Sequence, residues 1–103
     1  MWAQMITTRV KDGSEEGLRR LFQQLRDAEQ TDSGLVRTLV MRDQSDPSLV
    51  SMLVVFESEE HARARESDPR RGEGLTAARA TMAEVFDGAP SFTDFAVIEE
   101  FTP

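Results

Sequence analysis

The chain has 103 residues, 39% of them hydrophobic, which fits one globular domain over residues 1–103 and excludes a disordered protein. The formal net charge of -7 argues against nucleic acid and against an anionic membrane as partners, because both attract basic proteins. With no cysteine and a single histidine, the chain has no thiolate chemistry and no all-histidine metal site, so we expect no metal. No signal peptide is evident, and no apolar run approaches the roughly 18 residues of a membrane span. We therefore expect a cytoplasmic protein.

The first half of the chain predicts a strand, a helix and a hairpin. Trp2 to Val10 is rich in residues that suit a pleated strand. Ser14 is a good N-cap for a helix that ends near Gly34. A second strand runs from Leu35 to Arg42, and the turn that follows returns the chain antiparallel. The helix carries one apolar stripe at helical spacing, formed by Leu18, Leu21, Phe22, Leu25 and Ala28.

The third strand, Ser48 to Glu57, is apolar on both faces. One set of alternate side chains is Leu49, Ser51, Leu53 and Val55, and the other is Val50, Met52, Val54 and Phe56. This pattern predicts a central strand that is covered on both sides. The chain's own helices can cover one face, and a second copy of the chain is the simplest cover for the other. The sequence does not say which face meets the partner.

The second half repeats the helix and strand pattern. Ser58 caps a short helix with acidic residues in its first turn, and Asp68-Pro69 opens a longer helix that runs towards Asp87. The stripe of the longer helix is Leu75, Ala78, Met82, Val85 and Phe86. The last strand is predicted from Phe92 to Phe101. The order β-α-β-β-α-β predicts a ferredoxin-like α+β fold, an antiparallel sheet with its helices on one face. Its bare sheet face predicts a homodimeric barrel.

Several short motifs resemble one known family when they are taken together. They are Gly34-Leu35, Met41-Arg42-Asp43, Asp46-Pro47, Val54 to Glu60 and Ser67-Asp68-Pro69. The chain resembles the antibiotic biosynthesis monooxygenase (ABM) type of dimeric α/β barrel over nearly its whole length. This resemblance implies a homodimer with a ligand pocket between helices and sheet. Some members oxygenate polycyclic aromatic phenols with molecular oxygen and no cofactor, and others degrade haem.

The chain also departs from the pattern of the family. Well-understood oxygenases of this type use asparagine, tryptophan, tyrosine or histidine in the pocket, and this chain has no asparagine or tyrosine. Phe56 stands where many relatives carry a tryptophan. Haem degraders place their histidine along the second helix region, and here residues 69–86 contain none. His61 lies too early to take that role, so we expect neither haem nor another cofactor.

Two groups of polar residues are candidates for chemistry. His61 would serve as a general base, since its ordinary pKa lies near neutrality. The alternative, a solvated histidine among charged neighbours, is the favoured interpretation. Arg63, Arg65, Arg70 and Arg71 place four cations within nine residues. They predict either a clamp for an anionic ligand or, as we favour, a solvated face or a set of ion pairs at a dimer interface.

The candidate substrate-binding residues are Arg37 and a group of soft or aromatic side chains. Arg37 is predicted to share a strand face with Leu35 and Leu39, and a buried arginine needs a partner, either Asp94 or a ligand. The remaining candidates could line a pocket for a flat aromatic molecule, or could simply fill the core. They are Phe22, Met52, Phe56, Met82 and Phe86.

By resemblance, the expected activity is cofactor-independent oxygenation of a small aromatic or polyketide-like compound. The substrate would lose a proton and then pass an electron to oxygen in a dry pocket. One alternative is a non-catalytic or stress-related homodimeric barrel that binds a small apolar or aromatic molecule. Another is an assembly module with a filled core.

Overall fold

The computed structural model describes all residues from 1 to 103 and confirms the predicted order of elements. None of its helices is both long and apolar enough to cross a membrane. The strands and helices are β1 (Trp2–Arg9), α1 (Glu15–Ala28), β2 (Leu35–Arg42), β3 (Leu49–Phe56), α2 (Glu59–Glu66), α3 (Pro69–Val85) and β4 (Ser91–Ala96).

The four strands form one open antiparallel sheet in the order β2-β3-β1-β4. The strand predicted to be central, β3, pairs with β1 on one side and with β2 on the other. Helices α1 and α3 pack against each other and against one face of this sheet. The architecture is therefore the ferredoxin-like α+β arrangement that the sequence predicts.

Local capping chemistry explains where the later helices begin. The side chain of Ser58 accepts a hydrogen bond from the backbone N–H of His61, at the start of α2. Asp68 accepts one from the backbone N–H of Arg70, and Pro69 occupies the first helical position of α3. At α1 the prediction holds only in part. Ser14 occupies the N-cap position, but its hydroxyl donates to the carbonyl oxygen of Lys11 and does not cap the helix.

The core consists of two separate clusters between helices and sheet. The first joins α1 and α3 to the ends of β1 and β3, through Val10, Leu18, Leu21, Val50, Ala78 and Val85. The second lies at the other end of the sheet, under α2, and contains Trp2, Val54, Phe56 and Ala62. Trp2 and Phe56 form a tilted aromatic pair with ring centroids 6.1 Å apart.

The two faces of β3 have different environments. Val50, Val54 and Phe56 are buried on the side of the helices. Leu53 and Val55 lie on the opposite side of the sheet, which no element of this chain covers. We call this side the open face; its other apolar residues are Met5, Leu39, Met41 and Phe95.

A β-bulge in β2 corrects the predicted neighbours of Arg37. The register shifts between Leu35, which pairs with Phe56, and Arg37, which pairs with Val55. An extra residue in one strand reverses the alternation of side chains beyond it. Leu35 therefore lies on the helix side, whereas Arg37 lies on the open face with Leu39. The prediction that Leu35 and Arg37 share a face is wrong.

The last strand is shorter than predicted. It ends at Ala96, which pairs with Trp2, the first residue of β1. Beyond that point only one further backbone hydrogen bond joins the two segments, from Val97 N–H to the carbonyl of Met1. A strand cannot continue without a partner, so residues 98–103 leave the sheet, and Ile98 and Phe101 are almost fully exposed.

Candidate functional site

A cavity of about 410 Å³ lies between the two core clusters. Its walls come from both layers of the fold, and 9 of its 15 lining residues are hydrophobic, as is usual for small-molecule sites. Phe22 and Leu25 from α1 face Leu75 and Met82 from α3. The sheet contributes residues of β1, β2 and β3, Met52 among them.

Helical periodicity places the α1 residues in the cavity. Phe22, Leu25, Arg26 and Glu29 are spaced i, i+3, i+4 and i+7, so they fall on one side of the helix. The spacing that packs the first turns of α1 into the core therefore also places two charged residues beside the cavity. They are Arg26 in the last turn and Glu29 at the C-cap. Glu29 was not predicted from the sequence, although it lies seven residues after Phe22 and four after Leu25 and so continues the apolar stripe of α1.

One end of the cavity is charged. Arg65 of α2 binds Glu29 through two donors, with Nη2 at 2.7 Å from Oε1 and Nε at 3.0 Å from Oε2. The guanidinium of Arg65 also lies over the ring of Phe56, 5.0 Å from its centroid. Arg71 of α3 approaches the same carboxylate, with Nη1 at 3.5 Å from Oε1. We call Glu29, Arg65 and Arg71 the charged cluster.

The charged cluster is largely shielded from solvent. The exposed fraction of the side chain is 19% for Glu29, 16% for Arg65 and 14% for Arg71. Burial would raise the pKa of Glu29, but hydrogen bonds and the two arginine charges outweigh it, so this pKa is lowered. Burial, helped by the charge of Arg65, lowers the pKa of Arg71. The Nη1 atom of Arg71 is buried and has no hydrogen-bond partner.

A smaller polar cleft of about 210 Å³ adjoins the cavity and is lined by the same charged cluster. His61 lines this polar cleft and is absent from the lining of the apolar cavity. Its Nδ1 lies 2.6 Å from the hydroxyl of Ser58, and its Nε2 lies 3.6 Å from a carboxylate oxygen of Glu57. The imidazole packs over Gly34, where any Cβ would collide with it. His61 is thus a half-exposed histidine in the first turn of α2.

The structure brings only some of the predicted substrate-binding residues together. Phe22, Met52 and Met82 line the cavity. Phe56 and Phe86 pack in the core clusters beside it and do not line it. Arg37 lies on the open face, away from the cavity, and forms no ion pair.

The cluster of four arginines divides into two pairs with different surroundings. Arg63 pairs on the surface with Glu59, Glu66 and Asp94, and Arg70 pairs with Asp32 and Asp68. Asp94 is thus engaged by Arg63 and by Gln4, and not by Arg37. Arg65 and Arg71 point instead to Glu29 and the cavity. No three carboxylate, histidine or cysteine side chains come close enough together to hold a metal ion.

The fold is shared with several solved structures. A proposed antibiotic biosynthesis monooxygenase from Caulobacter crescentus aligns with a TM-score of 0.78 and 16% identity, over 95% of this chain and 90% of that one. A proposed monooxygenase of the same kind from Nitrosomonas europaea gives 0.74 and 13%, over 96% of this chain and all of that one. A variant of MhuD with two manganese protoporphyrin IX molecules bound per active site gives 0.73 and 18%, over the full length of both chains.

These identities are low, so the structural matches establish the fold alone. No curated protein sequence matches the chain significantly. The family is shown by the sequence itself, because the family model for antibiotic biosynthesis monooxygenases matches residues 1–74, well over half of the chain. The element order, the open antiparallel sheet and the cavity between helices and sheet agree with that match. The chain therefore belongs to the antibiotic biosynthesis monooxygenase family.

Proposed function

We propose that the protein binds a small aromatic or polyketide-like molecule in the cavity between helices and sheet and oxygenates it with molecular oxygen, without a cofactor. The observation that carries this proposal is the cavity itself, which is mostly apolar and has one charged end. Its volume of about 410 Å³ falls in the range of small-molecule sites. Family membership supports the same class of reaction.

The proposed reaction converts an activated methylene group of the substrate into a carbonyl group. The substrate loses a proton to water to give a carbanion, which passes one electron to oxygen. The resulting radical and superoxide combine to a peroxide anion, which takes a proton back from water and then loses water. Substrate and oxygen thus become ketone and water, and the methylene carbon supplies all the electrons. The apolar walls would orient the substrate and keep bulk water from the reactive intermediates.

Proton removal has no free base in the cavity. Its single carboxylate, Glu29, is held by two hydrogen-bonded donors of Arg65, and its lowered pKa makes it a weaker base. His61 lies in the adjoining polar cleft. The proposal therefore requires a substrate whose methylene C–H group is itself acidic, such as an anthrone.

Oxygen uptake with an anthrone tests this function. We expect the wild-type protein to consume oxygen above the uncatalysed rate, with one ketone formed per oxygen consumed. Met82→Trp should abolish the excess rate, because the larger ring projects into the cavity and obstructs it. His61→Ala should leave the rate and its pH profile unchanged, because the imidazole does not line the cavity. A Met82→Trp variant that is folded and fully active would contradict the proposal.

A second candidate function is binding without catalysis. It is favoured by the polar residues of the cavity, which include no histidine or tyrosine. Saturable binding of an aromatic probe that Met82→Trp prevents, together with oxygen uptake no faster than in buffer across anthrone substrates, would select this alternative.

We also propose that the protein is a homodimer in which the open faces of two sheets pack together. The open face carries apolar side chains with large exposed fractions, 47% for Leu39 and 46% for Phe95. A contiguous apolar patch of this kind is typical of an interaction surface. Related family members support a second copy of the chain as its partner.

A further inference from the structure

The charge of the cavity is opposite to that of the protein. The chain as a whole has a net charge of -7. Its cavity is lined by three arginines, Arg26, Arg65 and Arg71, and by one acidic residue, Glu29. An excess of positive charge within an otherwise acidic molecule attracts anionic groups to this one place.

The three arginines are not equally available to a ligand. Arg26 is exposed at the last turn of α1 and donates to Gln23. Arg65 is committed to Glu29 by three hydrogen-bond contacts and rests on the ring of Phe56. Of the two guanidinium groups beside Glu29, only that of Arg65 is hydrogen-bonded to it, so the second shielded cation of the charged cluster has an ion-pair contact but no hydrogen-bonded partner.

That second cation is Arg71, and its geometry is unusual. The side chain is 14% exposed and makes no hydrogen bond, although a guanidinium carries five N–H donors. Its Nη1 atom is buried 3.5 Å from Glu29 without hydrogen-bond geometry. Charged donors shielded from solvent are normally satisfied, and Arg71 lines the cavity without donating a hydrogen bond within the chain, so its guanidinium can receive an anionic group there.

We propose that Arg71 forms an anion-binding subsite at the charged end of the cavity, so that the ligand is an aromatic or other apolar molecule with a carboxylate or phenolate group. The apolar body packs between Phe22, Leu75 and Met82, and the anionic oxygens accept hydrogen bonds from the guanidinium of Arg71. This inference rests on the proposed function, since it requires that the cavity binds a small molecule. It adds the charge of that molecule and the residue that selects it.

A matched pair of fluorescent probes tests the subsite. 1-Anilinonaphthalene-8-sulfonate and N-phenyl-1-naphthylamine share one aromatic body, and only the first carries an anionic group. Arg71→Gln should raise the Kd of the sulfonate probe by about tenfold, the usual effect of losing a charge-assisted hydrogen bond, and leave the Kd of the neutral probe within about twofold. Arg71→Lys should recover part of the lost affinity, because it restores the charge without the guanidinium fork.

Two controls separate the subsite from general effects. Arg19→Gln removes a cation from an exposed surface ion pair on α1, away from the cavity, and should change neither Kd. Met82→Trp should abolish binding of both probes and so locate them in the cavity. Unchanged binding of the neutral probe also shows that Arg71→Gln is folded.

The outcomes distinguish the two proposals. Equal effects of Arg71→Gln on both probes, or no effect on either, would overturn the subsite while leaving the cavity as a binding site. If neither probe binds the wild-type protein, or if both still bind Met82→Trp, the proposed function fails and the subsite fails with it. A selective loss of the sulfonate probe that only Arg71→Lys partly reverses supports the subsite.

Discussion

At the scale of single residues, Glu29 holds the charged cluster together. It accepts hydrogen bonds from Arg65 and compensates part of the charge of Arg71. Removing one partner of a shielded ion pair costs more than the pair contributes, because the remaining charge is left without compensation. Here the loss of one carboxylate would leave two neighbouring guanidinium groups facing each other.

We expect Glu29→Gln to lower the free energy of unfolding at pH 7 by about 1–3 kcal/mol, somewhat less than for a fully buried pair, because part of the cluster reaches solvent. Urea unfolding followed by circular dichroism measures the change. Glu66→Gln is the control, since Glu66 pairs with Arg63 on the surface and its loss should cost little. Equal effects of the two substitutions would contradict the central role of Glu29.

The same residue predicts a pH dependence. The pKa of Glu29 is lowered in the folded state, so its ion pair contributes fully above the ordinary pKa of a glutamate. That contribution is lost as the pH falls through the lowered pKa. We therefore expect the stability difference between wild type and Glu29→Gln to be largest near neutrality and to shrink in acid. Unfolding curves at pH 7 and at progressively lower pH check this sign, and a difference that grows in acid would contradict it.

At the scale of elements, α1 and α3 approach each other closely at a glycine. A Cβ at Gly17 of α1 would collide with a methyl group of the buried Val85 of α3. Gly72, in the first turns of α3, has open space around it, and its backbone is helical. A side chain is therefore excluded at Gly17 but not at Gly72, and substitution by alanine at each position tests the difference.

Gly17→Ala should lower the free energy of unfolding by about 1–3 kcal/mol, because overpacking outweighs the better helix propensity of alanine. Gly72→Ala should raise it by about 0.5–1 kcal/mol, since the propensity gain meets no clash. Thermal and urea unfolding of both variants give the comparison. The account of the α1–α3 contact is wrong if Gly17→Ala is the more stable of the two.

At the scale of the whole molecule, the amount of buried surface is small. Only 14 of the 103 residues are buried in the single chain, and Leu39, Met41 and Phe95 of the open face are among its exposed large hydrophobic residues. A domain of this length depends on nearly all of its available core, so the uncovered sheet face is a substantial loss for an isolated chain. The proposed dimer would cover this face.

Adjacent residues of β3 give a matched test of that dimer. Leu53→Glu places a charge on the open face and should convert a dimer into a folded monomer. Val54→Glu places the same charge in the second core cluster and should unfold the chain. Native mass spectrometry and circular dichroism separate the two outcomes. A wild-type protein that is monomeric at micromolar concentration, or a Leu53→Glu variant that stays dimeric, would contradict the open face as the interface.

Much of the fold was predictable because its determinants are local. The caps at Ser58 and Asp68, and the apolar stripe of α1 from Leu18 to Ala28, act within a few residues. The bulge after Leu35 and the end of β4 at Ala96 were not predicted, because each depends on which strand lies opposite. Of the substrate-binding residues predicted from residue type and spacing, Phe22, Met52 and Met82 line the cavity, while Phe56, Phe86 and Arg37 lie outside its lining.

The sequence by itself determined the order of elements, the two-sided apolar strand, the family, and the concentration of arginines after His61. Periodicity and capping express these features without reference to distant residues. Only the tertiary structure decided which face of β3 meets the helices, and which arginines reach the cavity. Arg65 and Arg71 differ from Arg63 and Arg70 through their distance to Glu29, a residue more than thirty positions away. Such a pairing arises from the packing of α1 against α2 and α3, and no local pattern encodes it.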